Sequence, residues 1–141
     1  MTFEEIDQEL PNGFHDAKLR NISIDFVGRS VVIGIDLLVG LPHTPNPEGY
    51  RAGALKVASS CLFFVEAPDP SYPFIPDGSA LNVDGDSVRA GQSAQVDELL
   101  LVLPKNATLY RFFLKEWNSF LYLGGASVEV SWDDDGTSVN T

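Results

Sequence analysis

From Ala17 onward the chain alternates apolar and polar positions with a period of two, placing Leu19, Ile22, Ile24 and Phe26 between polar neighbours. That period puts successive side chains on opposite faces of an extended strand. A second β-branched run over residues 31–39 follows Val27-Gly-Arg-Ser30, so the two segments predict an antiparallel hairpin. The alternation slips at Arg20-Asn21, as a β-bulge would make it. Ahead of this hairpin, Phe3, Ile6 and Leu10 recur at helical intervals, and Thr2 with Glu5 has the spacing of a capping box. A short helix to about Leu10, ended by Pro11, is predicted.

Further along, residues 41–49 hold three prolines and a loop is expected. Residues 50–66 read as extended, with Ala58-Ser59-Ser60 marking a bend before Cys61 and its apolar neighbours enter a buried layer. Pro68, Pro70, Pro73 and Pro76 make residues 67–94 mostly irregular. Residues 96–103 and 108–114 predict another hairpin about the turn Pro104-Lys-Asn106. Residues 120–123 and 126–132 flank Gly124-Gly125 and predict a last hairpin; a short helix over 115–123 competes with it. About seven strands with dense turn signals and no long helices define an all-β antiparallel domain. It is either a β-sandwich or a strongly curved sheet, with the short N-terminal helix. Residues 1–132 form the single globular domain, and 133–141 an acidic, polar, flexible tail.

The 141 residues suit one hydrophobic core, and 44% hydrophobic with 11% aromatic residues is the composition of a packed chain. Charge changes the picture more. Twenty acidic against nine basic residues give a net charge of −11, which repels a phosphate backbone, and the lysines and arginines are scattered singly. Direct nucleic-acid binding is therefore not expected, whereas an acidic face suits a basic protein partner. No apolar window is long enough to span a membrane, and the acidic N-terminus lacks the pattern of a secretory signal, which leaves the cytoplasm as the expected address. Cys61 is the sole cysteine; its apolar neighbours predict a buried, unreactive thiol.

Candidate chemistry is sparse. In Pro11-Asn-Gly-Phe-His-Asp16 the Asn12-Gly13 pair predicts a chain reversal that presents Phe14, His15 and Asp16 at the mouth of a strand. His15 beside Asp16 invites a base oriented by a carboxylate, but strand alternation would send the two side chains to opposite faces. A turn-stabilising role for Asp16 is the expectation. Asn82, Asp84 and Asp86 alternate as calcium-loop ligands do, yet Ser87 stands at the glycine position and Ser93 at that of the closing glutamate, so a solvated acidic turn is expected. No spacing of histidine or cysteine defines a metal site, and no cofactor or catalytic residue is assigned. The proline-rich loop around Tyr72 and Phe74 displays apolar side chains on a stiff backbone, and Trp117 offers an aromatic anchor.

Gly13-Phe-His-Asp-Ala17 before a strand pair, together with Tyr110-Arg-Phe-Phe-Leu-Lys-Glu-Trp-Asn118, resembles small bacterial β-rich families of unknown function that include immunity proteins of toxin systems. The resemblance implies a binding role, in which a cognate toxin is blocked by occlusion. The expectation is a non-enzymatic protein-binding domain that engages its partner through Phe14, His15, Asp16, Tyr72, Phe74, Trp117 and Asn118. The alternatives are a small hydrolase or metal-dependent enzyme using His15 and Asp16, and a homo-oligomeric assembly module, of which a homodimer is the simplest.

Overall fold

The computed structural model describes residues 1–41, 43–76 and 78–135. Helix α1 (Phe3–Glu9) has the expected capping box: Thr2 Oγ1 accepts from the Glu5 N–H, and Glu5 Oε1 accepts from the Thr2 N–H. The chain turns extended at Leu10, before Pro11. The helix buries Phe3 and Ile6. Phe3 stacks on Tyr110 with centroids 4.9 Å apart, and Phe14 and Phe112 meet it edge-on. Edge-to-face pairs of this kind add about 0.5–1.5 kcal/mol beyond the area they bury.

The strands are β1 (Ala17–Asp25), β2 (Ser30–Leu38), β3 (Tyr50–Ala58), β4 (Leu62–Val65), β5 (Leu81–Ser87), β6 (Thr108–Leu114), β7 (Ser119–Gly125) and β8 (Ser127–Trp132). They form one antiparallel sheet in the order β4-β7-β6-β5-β1-β2-β3-β8. The β1–β2 hairpin has the expected bulge, its register shifting between Leu19 and Asn21. The bend foreseen after residue 57 is also present: Ser59 takes φ +50° between β3 and β4. β3 pairs with β8 and β4 pairs with β7. One long broken strand thus lies along another, and Ala58↔Ser127 gives way to Leu62↔Gly124. This coupling curls the sheet strongly, and its inner face packs Ile33, Ile35, Leu55, Val83, Phe112 and Leu123 with almost no exposure.

Several expectations are corrected. Residues 94–102 form helix α2 (Ala94–Val102) rather than a strand; Ser93 caps it by accepting from the Val96 N–H. The helix lays Val96, Leu99, Leu100 and Leu103 on Leu109, Phe120 and Tyr122, covering the outer face of β6 and β7. β7 is consequently buried on both faces. Gly124-Gly125 is not a hairpin turn, because β7 runs on into β8 without pairing with it; β6 and β7 form the hairpin instead. Residues 81–87 are strand β5, not irregular loop. Cys61 is exposed, contrary to expectation. Asp133–Asp135 form a 3-10 turn docked on the domain, where the Arg51 Nε–H is shared between both carboxylate oxygens of Asp134 and Nη2 donates to Oδ1. The rest of the predicted tail, 136–141, lies outside the described residues. Among the described residues no helix is long and apolar enough to cross a membrane.

Candidate functional site

The turn preceding β1 is built by short-range polar contacts. Asn12 donates from Nδ2 to the carbonyls of Leu38 and Gly40, and the Phe14 N–H donates to Asp7 Oδ1. Gly13 takes φ +56°, where a Cβ would run into the Asp7 carboxylate. Phe14 is driven inward to 0% exposure, so it belongs to the core and is not presented at the strand mouth. Gly85 on β5 makes room for it, since a Cβ there would collide with the Tyr110 hydroxyl and crowd Phe14.

Asp16 adopts φ +55°, a left-handed conformation that aspartate tolerates better than most residues. This overturns the alternation argument, because the two side chains meet before the strand begins. His15 Nε2 lies 3.2 Å from Asp16 Oδ2, and its Nδ1 lies 2.9 Å from Asp84 Oδ1. Asp84, read in the sequence as part of a solvated turn, sits on β5 and also accepts from the Asp16 N–H at 2.8 Å. Lys115, at the end of β6, places Nζ 2.7 Å from Asp16 Oδ1 and 3.3 Å from Asp84 Oδ2. Burial pushes the Asp84 carboxyl up, but the Asp16 N–H, Lys115 and His15 together hold it below the usual carboxylate range. Hydrogen bonding to Asp16 raises Lys115 above the usual lysine range. Tyr50 donates from its hydroxyl to the Asp16 carbonyl, and Lys18 lies over the Tyr50 ring.

His15, Asp16 and Asp84 offer three ligand atoms within 4.8 Å of one another, a spacing that could hold a metal ion. The Lys115 ammonium already bridges the two carboxylates, and a cation would have to displace it. Both imidazole nitrogens face carboxylate oxygens, which leaves neither turned toward a substrate as a general base requires. Asn82 and Asp86, the other two residues of the calcium-like pattern, are also engaged: Asn82 with Glu116, Asp86 with Arg111.

The proline-rich loop stands beside this cluster. Its base is braced on the β6–β7 turn: the Asp69 N–H donates to the Trp117 carbonyl, and Asn118 donates to Asp69 Oδ2. Ser71 donates twice to Asp69 Oδ1, and with Asn118 holds that carboxyl below its usual range. Asn118 takes φ +49° in the turn and positions the loop. Above this base Tyr72, Phe74 and Ile75 are 47%, 57% and 77% exposed. Tyr72, Pro73 and Ile75 share a hollow of about 340 Å³ with Lys115 and Glu116. Lys115 thereby joins the two segments singled out in the sequence. Trp117 is partly buried against the core and lines a second cavity with Phe74. Asp84 and Lys115 were missed as members of the cluster, being 68 and 99 residues from Asp16 with no local signal to link them.

The chain matches no protein-family model, no curated protein and no solved structure.

Proposed function

We propose that this chain is a non-enzymatic protein-binding domain that docks a basic partner on the face formed by the 68–76 loop and the Lys115 cluster. The observation that carries the reading is the braced loop. Three large apolar side chains are displayed on a backbone fixed by four prolines and by hydrogen bonds to the β6–β7 turn. Displaying anchors in advance lowers the entropy cost of binding, and aromatic anchors dominate binding energies at protein interfaces. Phe26 and Val27, at the tip of the β1–β2 hairpin, are more exposed still, but their turn is tied by Gly28 to Asp25 within itself and holds no proline. The surplus of acid over base supplies complementarity to a basic surface. In its most specific form the reading is an immunity-like inhibitor that acts by occlusion.

The test is affinity capture with quantitative mass spectrometry, comparing wild type, Tyr72→Ala/Ile75→Ala and Phe26→Ala/Val27→Ala. A basic protein retained by wild type and by the hairpin-tip variant, and lost from the loop variant, is the expected result. Equal retention by all three would overturn the docking face, and an acidic captured protein would overturn the charge argument.

A further inference from the structure

The sheet splits between β1 and β5. The two strands pair only over Ala17↔Val83, Lys18↔Asn82 and Leu19↔Leu81. Past the bulge, residues 21–25 continue the ladder with β2 and no longer that with β5, while Ala80, just ahead of β5, makes a single bridge. A strand paired on one side leaves alternate N–H and C=O groups pointing into the gap. Burial changes at the same point: β1 is largely buried to Leu19, whereas Asn21, Ser23, Ile24 and Asp25 are exposed. Neither a lysine nor a proline protects residues 21–25, and the bulge between Leu19 and Asn21 stands only at the start of this edge.

What the edge faces is apolar. Beside it lies a cavity of about 530 Å³ lined by Ile22, Val65, Leu114, Trp117 and Leu121, and by the exposed Ser79. That volume is in the range of ligand-sized clefts. Arg20 also borders the cavity, but its guanidinium is bound to Asp36 and to the Gly53 carbonyl, so it is poorly placed to receive an acidic ligand.

We infer that the free edge of β1 receives an extended peptide segment of the basic partner as an added strand. Backbone hydrogen bonds run along residues 21–25, a length of about 17 Å. Alternate side chains of the incoming segment enter the cavity, and the opposite set faces outward over Asn21, Ser23 and Asp25, where lysine or arginine suits Asp25 and the net charge of −11. The expected recognition element is thus a stretch alternating large aliphatic and basic residues. The inference rests on the protein-binding reading and adds a second contact to it, since Phe74 borders both the loop face and this cavity.

The experiment uses the full chain and a fluorescent, end-capped heptapeptide of alternating lysine and leucine, followed by anisotropy at physiological salt. The controls are the same peptide N-methylated at alternate residues, and the Ser79→Trp variant, which fills the cavity from an exposed position. Expected results are binding weakened at least about tenfold by either change, with slowed hydrogen exchange at the amides of 21–25 on adding the unmodified peptide. Hydrogen exchange on wild type keeps the test decisive if the tryptophan variant misfolds. Equal affinity for the N-methylated peptide, or unchanged exchange at 21–25, overturns the inference. So does saturable binding of the neutral lipophile N-phenyl-1-naphthylamine by a protein that ignores the peptide, an outcome that would make the cavity a small-molecule site. Loss of peptide binding alongside a partner still captured through Tyr72 and Ile75 removes only this inference.

Discussion

Two neighbouring regions of the molecule treat their polar groups in opposite ways. In the cluster around Asp84, all four carboxylate oxygens of Asp16 and Asp84 have a partner within the chain, and Lys115 and His15 are spent on them. Along β1 beyond the bulge, one side of the backbone no longer continues the ladder with β5, and apolar side chains line the gap it faces. A constellation that satisfies itself is accounted for by folding. One that leaves hydrogen-bonding groups open to solvent beside apolar surface is where an added strand would gain both backbone bonds and apolar contact. The His15 cluster looks more like a functional site when its residue types are counted, and less like one when its contacts are traced.

The largest expected effect breaks the self-satisfied region from beneath. Phe14 is fully buried against Phe3, Tyr110 and Phe112, so Phe14→Ala should cost about 3–5 kcal/mol in chemical denaturation. A loss under about 1 kcal/mol would mean that the turn does not depend on its core anchor.

A smaller effect comes from Lys115→Met, which leaves the two carboxylates with His15 between them and no lysine bridge. The side chains are partly solvated, so the loss should be about 1 kcal/mol or less. The pH dependence is more telling. The folded pKa of Asp84 is lowered, so its contribution is present above the ordinary carboxylate value and declines as pH falls through the folded one. That of Lys115 is raised, so its contribution is complete below the ordinary lysine value and disappears as pH rises through the folded one. The contributions of Asp84 and Lys115 should therefore both be fully present between about pH 5 and pH 9. Removing Lys115 should abolish its alkaline decline and move the Asp84 carboxyl upward, read by NMR titration. An unmoved Asp84 would show that the Asp16 N–H and His15 hold the carboxylate without Lys115.

Local chemistry was legible in the sequence. The Thr2/Glu5 box, the slip at Arg20-Asn21 and the break near Ser59 each depend on residues adjacent in the chain, and each stands where the pattern put it. α2 was misread because residues 99–103 form an unbroken apolar run, which strand and helix share. β5 was hidden by polar Asn82, Asp84 and Asp86, outward-facing residues whose side-chain partners come from β6, the β6–β7 turn and the turn before β1. Gly124-Gly125 looked like a turn, yet Gly124 is small where Leu62 and Leu103 approach, and Gly125 where Val57 does. The His15–Asp16 contact was missed because strand alternation was applied one residue too early, to an aspartate in the left-handed region.

The smallest expected effect sharpens the contrast from the open side. Tyr72 and Ile75 project from a loop whose conformation is held by Asp69, Asn118 and the Trp117 carbonyl, none of which touches their side chains in a hydrogen bond. Tyr72→Ala/Ile75→Ala should therefore leave the denaturation midpoint nearly unchanged, within about 0.5 kcal/mol per site. A side chain the fold has no use for, kept large, apolar and exposed, is the expected mark of a surface that meets a partner. Destabilisation of about 2 kcal/mol or more would turn the argument round: Tyr72 and Ile75 would then be a lid packed over Lys115 and Glu116, and the loop would join the self-satisfied region.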